Sequence, residues 1–146
     1  MRTAHIVLGV LSVALMAGAG VWGAWCWRTV RHSPLFWRLL RAAQAVVVIE
    51  AALGGLLVAA GRRGSSLHLI YGVLPIAVSF VAEQLRLAAA QTVLDARGLE
   101  SSAAVGKLPE SEQRVVVVSI IQRELGVMVL AALVCLVLLA RAASTG

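Results

Sequence analysis

Four long apolar runs dominate this chain, at residues 6–27, 39–60, 67–82 and 125–140, and few folds can absorb them. A helix that crosses a hydrocarbon core needs about 20 predominantly apolar residues. The last two runs are short by themselves, but each continues helically into amphipathic sequence. Polar breaks separate them: 28–38 with Pro34, 61–66, and a longer segment from 96 to 108. In lipid every backbone polar group must be satisfied internally, which favours helices. The pattern predicts an all-α polytopic membrane protein, an antiparallel bundle of four transmembrane helices.

Composition points the same way. Of 146 residues, 60% are hydrophobic and 14% charged, against about 45–50% and 25% in a soluble domain. That excludes a water-soluble globular enzyme, a disordered chain and a coiled coil. The net charge of +6 would suit nucleic acid or an anionic membrane surface. The arginines flank apolar runs and form no basic stripe with interleaved aromatics, so the expected partner is lipid and not nucleic acid. Cys26 and Cys135 make neither a disulfide framework nor a metal site. In this topology they fall near opposite membrane faces, too far apart to bridge.

The chain reads as one membrane domain, 1–146, with spans at about 5–27, 38–60, 67–96 and 109–141. Arg2 and the small residues at 17–19 resemble a secretory leader. The apolar run nevertheless continues to Trp27 and stops at Arg28 and Arg31, so a retained span is expected. Lysine and arginine in short loops set orientation. The first connection holds Arg28, Arg31, Arg38 and Arg41; the third holds Arg86, Arg97, Lys107 and Arg114. The other side holds Arg2, Arg62, Arg63 and Arg141. The asymmetry predicts both termini outside and loops one and three cytoplasmic. Trp22, Trp25, Trp27 and Trp37 cluster around the first connection as an interfacial belt. The Ala/Arg/Val-rich composition looks like that of a high-GC bacterium, which suggests a bacterial inner membrane.

The third connection is the sizeable extramembrane part. Gly98 is suited to close the third helix in a left-handed conformation. Pro109 suits the first position of the fourth, with Glu110 and Glu112 in its positive first turn. From 109 to 141 that helix would be about 50 Å long, longer than a hydrocarbon core of about 30 Å. A cytoplasmic extension of the helix 3/helix 4 hairpin follows.

Ionisable groups inside spans are costly and usually face the bundle interior or a cavity. Hairpin symmetry about residue 103 sets Glu83 level with Arg123, and Arg97 near Glu110. Symmetry about residue 64 sets Glu50 level with Val78 and Ser79, and Gln44 with Gln84. A polar layer results near the cytoplasmic side: Gln44, Glu83, Gln84, Arg86, Gln122, Arg123 and Glu124. It reads as an ion-pair girdle, or as a charged vestibule for a proton, ion or lipid headgroup. Glu50 stands mid-span with no basic neighbour in sequence. Charged and alone it would be very expensive there, so a protonated, hydrogen-bonded or water-contacting carboxyl facing Ser79 is expected. Ala51, Gly55 and Ala59 form a small-residue ridge beside it, suited to close helix packing.

The third helix carries His68, Gly72, Pro75, Ser79, Glu83 and Arg86 at helical spacing, an inward stripe in which Pro75 can kink the helix. His5 and His68 lie at similar depth near the outer end. Two histidines on different helices could ligate haem b axially, although wetted interfacial histidines are the commoner case. No nucleophile elbow, phosphate-cradling loop or di-iron motif occurs. The expected function is therefore that of a non-enzymatic accessory or scaffold subunit without metal or cofactor. It would act through membrane lipids, a protein partner or a second copy. The alternative is a haem- or quinone-associated redox module, or a proton-coupled transport module. The candidate intramembrane site comprises Glu50, Ser79, Glu83, Arg86, Arg123 and Glu124, with His5 and His68 as candidate haem ligands.

Overall fold

A computed structural model describes residues 2–62 and 64–146, except for the side chain of Arg2. That side chain and Arg63, both in the charge tally above, lie outside the described residues. The described chain is helical: α1 Arg2–Arg28, α2 Pro34–Ala59, α3 Ser66–Asp95, α4 Ser102–Val105 and α5 Glu110–Thr145. α1, α2, α3 and α5 are each long and apolar enough to cross a membrane. Their outer faces carry bare apolar side chains such as Val21 (73% exposed), Val10, Phe80 and Val137. Water would not tolerate so continuous an apolar surface, whereas hydrocarbon favours it. The chain has the character of a multi-pass membrane protein.

Local chemistry sets where the helices stop. At the end of α1, Arg31 N–H bonds Cys26 O (2.9 Å) and Val30 N–H bonds Trp27 O (3.2 Å). This is a Schellman closure, and its left-handed residue is usually glycine. α2 and α3 close in the same way, with Gly61 (φ +82°) and Gly98 (φ +65°) in that position. α1 instead places the β-branched Val30 there, at φ +50°. α2 begins at Pro34, earlier than expected, because Ser33 caps it and accepts from Phe36 N–H. The Ser33 hydroxyl also accepts from Trp22 Nε1 (2.9 Å), tying the cap to α1. Ser65 caps α3 and donates to Thr145 O (2.7 Å), joining the start of α3 to the end of α5.

α1 packs on α2 and on α5, and α3 packs most extensively on α5; α2 and α3 touch only sparingly. The main core is built from Met16 and Cys26 of α1, Phe36, Leu40 and Val47 of α2, and Leu125, Met128 and Val129 of α5. Gly23 permits the closest approach, since a Cβ there would lie 2.5 Å from Phe36 and 2.7 Å from Val129. A second cluster of Val93, Leu94, Val105 and Val116 closes the α3–α5 hairpin, with α4 folded against it. α5, with 36 residues, is about 54 Å long at 1.5 Å per residue.

Candidate binding cavity

Where α2 and α3 stand apart, small residues leave a cavity of about 730 Å³ bounded by α1, α2, α3 and the end of α5. Gly55 and Gly72 face into open space: a Cβ on either would meet nothing within 4 Å. Val58, Leu69 and Val73 on its rim are exposed, so the gap between α2 and α3 leaves it open sideways. Among the described residues, its polar side chains are Glu50, His5, His68 and Arg62.

Glu50 stands at the α1 side of this space. Buried Ser12 donates its hydroxyl proton to Glu50 Oε2 (2.8 Å). Gly9, one turn away on α1, makes room for the other oxygen, because a Cβ there would lie 2.8 Å from Oε1. The expected contact with Ser79 is therefore corrected. Ser79 lies within 3.8 Å of Cys135 Sγ on α5, and Cys135 in turn reaches Pro75 O. Hairpin symmetry ranks depth along a span but not direction around it. α2 turns its packed face to α1, and Glu50 goes with it. Applied to the first connection, the same symmetry sets residues 12 and 50 level about residue 31, a signal that could have found Ser12.

At the outer end the rings of His5 and His68 meet edge to face, with centroids 5.8 Å apart and planes at 78°. His68 Nδ1 lies 2.9 Å from Ala142 O. A carbonyl only accepts, so Nδ1 carries the proton and Nε2 of a neutral ring is left as an acceptor. His5 Nδ1 is buried without a hydrogen-bond partner among the described residues. Gly54 packs beside His5: a Cβ there would lie 3.6 Å from Cε1, an ordinary van der Waals contact. Axial haem ligation requires the macrocycle between the two imidazoles, and rings in edge contact leave no slot for it. This pair does not fit haem. No group of three or more His, Cys, Asp or Glu side chains suited to a metal ion occurs among the described residues.

The remaining candidate residues gather at the opposite end. Glu83 accepts from Arg41 of α2 and, at 3.1 Å, from Arg86 Nε; Arg86 also reaches Glu124 of α5 at 3.5 Å. The Trp37 ring has the Arg41 and Arg86 guanidinium carbons 5.8 and 5.3 Å from its centroid, within the range of cation–π attraction. The expected Glu83–Arg123 pair is replaced by this network. Arg123 is exposed and borders a shallow groove with Trp27 and Gln122. By sequence Arg41 is a loop charge and Trp37 a belt residue; in the fold both belong to this network. Symmetry about residue 64 brings Arg41 within about a turn of Glu83. The chain gives no match to known family models, to curated proteins or to solved structures.

Proposed function

We propose that this chain is a small non-enzymatic protein of a bacterial inner membrane. It forms an antiparallel four-helix bundle with both termini outside, and it serves as an accessory subunit by holding a membrane-borne molecule. The observation that carries this reading is the sideways-open cavity whose few polar side chains include Glu50, His5 and His68. Its volume falls within the range of about 300–1,000 Å³ typical of small-molecule sites. An occupant could enter from the hydrocarbon between α2 and α3 without crossing water.

The charged network at the other end supports a locking role, because each carboxylate in it already meets an arginine. Buried Met16, Ala43, Val47 and Ala132 lie between the network and the cavity along the helices. A dry interval of that kind favours holding a molecule over relaying protons. Native mass spectrometry of protein released from membranes in mild detergent tests the proposal. Wild type is expected to retain a non-covalent small-molecule adduct. Gly72→Leu, whose Cβ would meet nothing within 4 Å, is expected to lose it. A folded wild type with no adduct, or equal retention in both, would overturn the reading.

A further inference from the structure

Resting on the binding role above, we propose that the cavity takes an amphiphilic amine, with its ammonium head at Glu50 and its apolar body in the gap between α2 and α3. Among the described residues, the polar lining sets the Glu50 carboxylate deep in the cavity and keeps His68 and Arg62 toward its outer end. Glu50 Oε2 accepts from Ser12, while Oε1 lies beside Gly9 and takes no hydrogen bond among the described residues; the side chain lines the cavity. None of the salt bridges among the described residues includes Glu50. His68 belongs to the outer end, where its Nδ1 lies 2.9 Å from Ala142 O. Glu50 stands nine residues, about 14 Å at 1.5 Å per residue, before the end of α2, and Arg62 lies beyond that end.

Three head chemistries can be weighed against that arrangement. An ammonium brings up to three N–H donors and a counter-charge for the carboxylate, which has no salt-bridge partner among the described residues. A neutral hydroxyl brings one donor and no charge. A carboxylate or phosphate head would be repelled at Glu50. If it stopped instead at Arg62, its chain would strand the Glu50 carboxyl against hydrocarbon, which is unfavourable. Exposed Val58, Leu69 and Val73 suit an alkyl body at any of these depths. The head therefore decides, and it favours the amine.

The test uses the full chain in phosphatidylcholine nanodiscs at neutral pH, titrated with dodecylamine, dodecanol and dodecanoate and corrected for partition into empty discs. Dodecylamine is expected to bind at least ten-fold more tightly than dodecanol, and dodecanoate most weakly. Glu50→Gln keeps an acceptor for Ser12 and is expected to weaken the amine ten-fold or more while leaving dodecanol unchanged. Gly72→Leu is expected to weaken all three. If E50Q does not fold, the ranking of the three probes on wild type and G72L decides alone. Equal binding of dodecanol and dodecylamine, both lost in G72L, would overturn the amine while leaving a binding cavity. Dodecanoate binding more tightly than the amine would overturn it as well. No G72L-sensitive binding of any probe would overturn both the amine and the binding role.

Discussion

Glu83 joins α2 to α3 through Arg41 and passes the connection to α5 through Arg86 and Glu124. A hydrogen bond to a charged group contributes about 1.5–3 kcal/mol net, and partial exposure of the arginines reduces that by screening. Glu83→Gln is expected to lower the unfolding free energy in detergent by about 1 kcal/mol. Arg123→Ala, at an exposed and unbridged position, should change it by less than about 0.5 kcal/mol. Equal losses in thermal or denaturant unfolding would restore the pairing expected from sequence. Val30 offers a second test. A non-glycine residue in the left-handed region stores roughly 1–3 kcal/mol of strain, and glycine returns part of that as unfolded-state entropy. Val30→Gly is expected to stabilise by about 1 kcal/mol; destabilisation would mean that the half-buried Val30 side chain matters more than its backbone. The cost of an isolated charge in lipid made these residues legible as important. Their partners were not, because an arginine side chain can choose among several carboxylates at one depth.

At the level of helices, apolar runs and breakers were legible because each has a local cause. Gly98 closes α3 as its position suggested, with φ +65°. Ser33 followed by Pro34 is an N-terminal signal that carries α2 back past the apolar run, into sequence read as loop because it is rich in arginine. Helix facing was less legible. α2 has apolar side chains around most of its circumference, so nothing in its own periodicity says whether Glu50 meets α1 or α3. The glycines show the same limit: Gly18 and Gly23 look alike in sequence, yet Gly18 opens on space and Gly23 abuts Phe36 and Val129. Gly23→Ala is expected to cost about 1–3 kcal/mol by overpacking. Gly18→Ala should be neutral or stabilising by up to about 1 kcal/mol through helix propensity. Unfolding midpoints of the two variants in one detergent check this, and a larger loss at Gly18 would contradict the packing of α1.

For the molecule as a whole, the proposed orientation places the basic first and third connections in the cytoplasm, where anionic lipid attracts them. In a background with Cys26 and Cys135 replaced by alanine, cysteines introduced at Arg31 and Ala104 should resist a membrane-impermeant maleimide in intact cells and react after lysis. Reaction of both in intact cells would invert the topology. The membrane class was legible from composition alone, since no other solvent accepts so much bare apolar surface. The cavity was not, because it arises from how little α2 and α3 touch, a property of four helices together. The most direct test of the account is the electron paramagnetic resonance spectrum of a nitroxide placed at Gly72→Cys, compared with one at buried Ala43→Cys, in the same Cys26- and Cys135-free background in lipid nanodiscs. A cavity open to the bilayer predicts a mobile label at 72, strongly relaxed by dissolved oxygen, beside an immobilised and shielded label at 43. Equal immobilisation and shielding at both positions would mean that α2 and α3 close on each other, and would contradict it.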